Sequence, residues 1–167
     1  MNSYLQDLCI KNWREHRAVL FLDPFGMQVQ WKTIEAIAQT EAIDLWLLFP
    51  LGVAVNRLLR RDGQIDQKLS TRLDELFGTT DWFDAFYQTK TRSSLFGEET
   101  RLEKVANLEE IGKYFVERLR TVFTKVADNP LPLYNSRKNP LYLLCFAAGN
   151  LKGAPTAVKI AEHILRG

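Results

Sequence analysis

Two continuous apolar runs, "RAVLFLD" at residues 17–23 and "IDLWLLFP" at residues 43–50, constrain this chain more than any other feature. Neither alternates apolar with polar, so each fits a strand covered on both faces, as in a parallel sheet. Between them, "VQWKTIEAIAQTEA" sets Trp31, Ile34, Ile37 and Ala38 on one stripe of an amphipathic helix. Strand, helix and strand make a βαβ unit, whose crossover is right-handed in nearly all cases. A parallel pair over residues 19–23 and 44–49, joined by a helix near 31–39, is therefore expected.

The remaining segments arrange themselves around that unit. "YLQDLCIKNWREH" reads as a helix over residues 4–16, with Leu5, Leu8, Cys9 and Trp13 on one face. "LGVAVNRLLRR" opens as a helix past the second strand and stops at "DGQ". "DQKLSTRLDELFG" carries Leu69, Leu73, Leu76 and Phe77 at helical spacing and ends at Gly78, a good C-terminal stop. "TTDWFDAFYQT" continues as an aromatic helix behind a Thr or Asp cap. "KTRSSLFGEETRLEK" is the most polar segment and is expected to be an exposed loop.

"NLEEIGKYFVERLRTVFTKVA" has Leu108, Ile111, Tyr114, Phe115, Leu119, Val122 and Phe123 on one side, the mark of a long amphipathic helix. "LPLY" and "LYLLCFAA" flank the turn cluster "NSRKN", which predicts a hairpin adding antiparallel strands beside the parallel pair. The final "KGAPTAVKIAEHILRG" reads as a short helix with Pro155 in its first turn and Ala157, Ile160, Ala161 and Ile164 inward.

Composition excludes several function classes. The 167 residues are expected to form one α/β domain over 1–167. A net charge of +2 does not indicate nucleic acid. The two cysteines, Cys9 and Cys145, make neither a disulfide framework nor a metal cluster, which suits a reducing, cytoplasmic setting. Cys145 lies in "LYLLCFAA" and reads as a small buried hydrophobe. No apolar segment approaches the roughly 18 residues of a membrane span. His16 and His163, both expected in helices, stand at opposite ends with no second ligand at metal spacing, so no metal is expected. There is no G-x-G-x-x-G, no P-loop and no G-x-S-x-G elbow.

Chemistry, if present, belongs at the strand ends, because ligands of open parallel sheets bind beyond the carboxyl ends of the strands. The first run closes on "DPFG". Asp23 at such a rim, with Pro24 fixing the backbone and Phe25 supplying a flat ring, suits hydrogen bonding and stacking of a planar amino-bearing substrate. The same four residues also make a turn, with Asp accepting backbone N–H bonds and Gly26 closing it. Asn56 and Arg57 fall just inside the helix after the second run, where Arg57 either clamps a phosphate or carboxylate or pairs with a surface acid. Asp23 and Phe25 are thus the candidate catalytic residues, and Pro24, Gly26, Asn56 and Arg57 the candidate substrate-binding ones.

Four segments, "VLFLDPFGMQVQWKTIEAIA", "IDLWLLFPLGVAVNRLL", "LFGTTDWFDAFY" and "NPLYLLCFAAGN", in this order resemble the three-Cys-motif partner protein family. The resemblance runs from about residue 17 to 164. Members accompany a protein with a three-cysteine, radical-SAM-like signature, and full-length ones look like class I S-adenosylmethionine-dependent methyltransferases. It implies a partial Rossmann-like, methyltransferase-like sheet of parallel strands, a C-terminal antiparallel hairpin and flanking helices. It further implies that Asp23, Pro24 and Phe25 stand where such enzymes bind the target amino group.

The chain begins just before that motif, so it resembles the C-terminal half alone, without the half that grips the cofactor. No cofactor is therefore expected for this chain by itself, with S-adenosylmethionine entering if an N-terminal half completes the site. The implied function is a methyltransferase-like scaffold, non-catalytic as this chain, acting with a three-Cys-motif protein. The alternative is the substrate-binding half of an active methyltransferase with Asp23 and Phe25 at the acceptor site. A truncated parallel sheet leaves an open edge strand, which invites a homodimer or a docked partner.

Overall fold

The computed structural model describes residues 1–24, 27–94 and 97–166, with the backbone alone at 92, 94 and 97. Seven α-helices and seven strands among these residues make a mixed α/β fold. Strand β1 (Ala18–Leu22) pairs in parallel with β2 (Ile43–Phe49), from Ala18 opposite Ile43 to Leu22 opposite Leu47. Helix α2 (Trp31–Gln39) joins them and buries Trp31, Ile34, Ile37 and Ala38, the expected stripe.

The expected hairpin is present as well. Strands β6 (Leu131–Tyr134) and β7 (Pro140–Ala148) meet around Asn135, whose Oδ1 accepts the Arg137 and Asn139 N–H groups at 2.9 Å each. Lys138 takes the positive φ of 58° that closes this turn. Strand β7 then runs antiparallel to β2 along its other edge, with Trp46 opposite Phe146. The two-residue β5 (Lys125–Val126) extends the sheet beside the far end of β7.

One face of this sheet carries the main core. Leu45, Leu47, Phe49 and Cys145 point into it and meet α2, α4 (Gln67–Phe77) and α6 (Leu108–Arg120). Phe49 stacks on Phe115 at 3.9 Å between ring centroids. Cys145 is buried, as its setting in the apolar run requires. Helix α4 stops at Gly78 in the left-handed conformation, φ 68°, and a Cβ there would lie 2.0 Å from the Trp31 ring. The other face is covered by α7 (Ala154–Ile164), which packs Ala154, Val158 and Ala161 over Phe146 and Ala148.

Several expectations change. Helix α1 (Asn2–Cys9) ends well short of residue 16, because Asn12 turns the chain by accepting the Arg14 N–H. Trp13 folds back to donate to the Leu8 carbonyl, and His16 lies outside any helix. The polar segment expected as a loop is part of a ribbon, β3 (Tyr87–Ser94) paired with β4 (Gly97–Lys104). Cross-strand polar contacts knit it: Lys90 to Glu103 at 3.5 Å and Thr91 to Thr100 at 3.4 Å.

The aromatic helix α5 (Trp82–Phe86) is accordingly short and leads straight into β3. Helix α6 stops at Arg120, so Val122 and Phe123 follow it as it turns into β5. Its N-terminus carries a capping box in which Asn107 and Glu110 satisfy each other's backbone N–H. In α7, Ile160 and Ile164 are 58% and 56% exposed, so only part of the expected inward stripe faces the sheet.

The most consequential change concerns β1. Among the described residues it has a partner on one edge alone, and its burial alternates: Val19 and Phe21 are 69% and 58% exposed. Helix α7 covers β7 and leaves the outer face of β1 open. An apolar run was expected to need cover on both faces, yet here it has cover on one.

Candidate functional site

Strand β1 ends at Leu22, so Asp23 stands just beyond the carboxyl end of a parallel strand rather than within it. Asp23 is exposed and Pro24 is buried, while Phe25 and Gly26 lie outside the described residues. Among the described residues no donor reaches the Asp23 carboxylate. The two neighbours thus differ, with Pro24 packed inside and Asp23 in solvent. None of the three main cavities among the described residues is lined by Asp23 or Pro24. The end of β1 therefore presents an exposed acid that lies outside these three cavities.

Past β2 the chain does not enter an α-helix directly. Residues Leu51–Val55 form a π-helical turn, with the Val55 N–H reaching back to the Pro50 carbonyl at 3.1 Å. Such wide turns are rare and frequent at functional sites. Gly52 permits this one: a Cβ there would lie 1.9 Å from the Pro140 carbonyl oxygen at the start of β7. Only one short α-helical turn, α3 (Asn56–Leu58), follows. The long helix expected over "LGVAVNRLLRR" is thus broken where its candidate residues sit.

The consequence is a division of the sequence candidates. Asn56 is half-buried and lines a cavity of about 770 Å³ that also includes Arg61 and Lys104. Arg57, one residue on, is exposed and lines none of the three cavities. Of the four candidates among the described residues, Asp23, Pro24, Asn56 and Arg57, Asn56 alone lines one of the three cavities.

Lys104 ends β4 and is the least expected member of the cavity. Its backbone N–H donates to the Arg61 carbonyl at 2.9 Å, and its Nζ donates to Asn56 Oδ1 at 2.6 Å. Burial holds its ammonium below the ordinary lysine range, and the Arg61 guanidinium adds to that. Tyr87 pins the same loop, its hydroxyl donating to the Arg60 carbonyl at 2.8 Å. Burial, then the Asp62 carboxylate, pushes the Tyr87 phenol up to about 12. Sequence reasoning missed Arg61 and Lys104 because Arg61 sat at the end of a segment expected as a helix and Lys104 at the end of one expected as a loop.

A second cavity, about 910 Å³, lies between α6 and β6, with Gly112, Val116, Pro132, Tyr134 and Leu143 in its lining. Its charged residues are matched among themselves: Lys113 with Glu109 at 2.6 Å, and Arg120 with both Glu117 and Asp128. Three acids stand against two bases there, so the lining is net negative and both of its cations are already paired.

Among the described residues no group of His, Cys, Asp and Glu is placed to hold a metal, and no helix is long and apolar enough to cross a membrane. No protein-family model, curated protein or solved structure matches the chain.

Proposed function

We propose that this chain is a methyltransferase-like scaffold of the three-Cys-motif partner kind, working by docking and not by transferring methyl groups itself. The carrying observation is the open β1. Among the described residues one edge of it is unpaired, beside an outer face where Val19 and Phe21 stand in solvent, and the sheet continues on the other side. An edge of this kind with apolar residues beside it is a template for another chain. The partner that the sequence resemblance suggests is a three-Cys-motif protein with a radical-SAM-like signature. A second copy of this chain is the competing occupant.

The parallel β1–α2–β2 unit with Asp23 just past its first strand supports the methyltransferase-like reading of the fold. It also favours a second reading, the substrate-binding half of an active enzyme, because Asp23 is free to meet a substrate amino group. In that reading Phe25 is the stacking ring, and S-adenosylmethionine enters with a complementary half that brings a glycine-bearing loop.

One set of measurements separates these readings. Purified chain and purified three-Cys-motif protein should co-elute on size exclusion. Replacing the two exposed residues together, Val19→Lys with Phe21→Lys, should weaken the complex at least about tenfold while leaving the melt unchanged. Undiminished binding by the double variant would remove β1 as the docking surface. A concentration-dependent homodimer that the same variant abolishes would assign the edge to self-association. Micromolar binding of S-adenosylmethionine by the chain alone would overturn the non-catalytic reading in favour of the second.

A further inference from the structure

We propose that the cavity between α3, the Arg61 loop and β4 binds a small organic phosphate, with the phosphoryl group held by Arg61, Lys104 and Asn56.

An inventory of charge around the cavity carries this inference. Five charged residues line it. Asp62 is matched by Arg60 at 3.4 Å, Glu103 by Lys90 at 3.5 Å, and Arg101 by Glu99 at 2.8 Å. Arg60 and Lys90 lie outside the lining, so the two acids that would repel an anion are neutralised from behind. Arg61 and Lys104 remain. Neither has a carboxylate within ion-pair distance among the described residues. Two cations thus share one cavity without a counter-ion among the described residues, an arrangement that an entering anion would stabilise.

Asn56 sharpens the point. A lysine ammonium has donors only, so the Asn56 oxygen must face Lys104. That leaves the Asn56 amide NH₂, with two donors, lacking an acceptor among the described residues. A guanidinium fork, an ammonium and an amide NH₂ are three donor groups of different shape, suited to the several oxygens of a phosphate. Leu59, Leu102 and Leu108 add apolar lining for the body that carries it. The volume, about 770 Å³, lies in the range of small-molecule sites. The N-terminus of α6 at the cavity's edge contributes nothing, since its capping box already uses it.

The test is a titration of the whole chain, followed by amide NMR shifts, with inorganic phosphate and with phenyl phosphate as probes. Saturable binding is expected, with shifts centred on residues 56, 61 and 104. Phenyl phosphate should bind about tenfold more tightly than inorganic phosphate, through the leucine lining. Arg61→Gln should weaken both probes about tenfold, and Arg57→Gln, altering an exposed charge outside the cavity, should not. Lys104→Gln should match Arg61→Gln, and if that half-buried change unfolds the chain, the exposed Arg61 variant decides alone. Equal losses in the Arg57 and Arg61 variants would mean general surface charge and would overturn the site. So would shifts that fail to saturate by about 20 mM probe, a weaker affinity than three such contacts imply.

Discussion

Asp23 and Pro24, adjacent just past β1, occupy different environments: Pro24 is buried and Asp23 is in water. Among the described residues no backbone N–H reaches the carboxylate, and Pro24, the next residue, has none to give. Its charge costs nothing there, because solvent satisfies it. Asp23→Asn should therefore shift stability by less than about 0.5 kcal/mol, the usual range for a surface change away from any special contact. Paired thermal melts check this. A fall of several degrees would return Asp23 to the role of turn-former and remove it from any site.

At the scale of elements, what the sequence made legible follows from where each element takes its stability. Strands β1 and β2, helix α2 and the β6–β7 hairpin show plainly, because continuous apolar runs, helical spacing and an Asn-rich turn are local signals. The β3–β4 ribbon does not, because it is made of polar residues paired across strands, and such pairs appear only once the register is known. Strand β5 is too short to leave a pattern. The cavity is invisible for the same reason as the ribbon: Asn56, Arg61 and Lys104 have nothing in common along the chain. The open face of β1 is hidden differently, since Val19 and Phe21 look the same in sequence whether or not anything covers them.

The ribbon also carries a prediction. Its residues from Gln88 to Thr91 and from Glu98 to Arg101 are exposed, and its ion pairs lie at the surface, where each is worth little. A two-stranded ribbon with so little burial opens locally at small cost. Native-state hydrogen exchange should show amides 88–93 exchanging at least about a hundredfold faster than those of β2 and β7. Equal protection would mean that the ribbon unfolds only with the whole chain.

Across the molecule several buried groups keep protons that they would release if unfolded, and these shape its behaviour in alkali. Burial pushes the Cys145 thiol up to about 12 from 9.0, and burial with Asp62 pushes the Tyr87 phenol up to about 12 from 10.0. Burial raises the Tyr114 phenol as well, against the pull of Arg118. Each is a folded-state pKa above its unfolded value, so the folded chain binds more protons throughout the interval between them. Stability is then complete below pH 9, where Cys145 is protonated in both states, and it falls as pH rises toward about 12. Each group contributes a slope of up to about 1.4 kcal/mol per pH unit within its own window.

Lysine deprotonation overlaps the upper part of this window, so variants must separate the terms. Tyr87→Phe removes the phenol and its bond to the Arg60 carbonyl, and it should lower stability at neutral pH by about 1 kcal/mol. It should also flatten the decline between pH 10 and about 12, because the variant has no phenol there to ionise on unfolding. Urea melts at half-unit steps from pH 7 to 12 provide the measurement. A variant curve running parallel to the wild type through that interval would mean that Tyr87 ionises alike in both states. In that case the bond holding the Arg61 loop to the ribbon would not survive in solution.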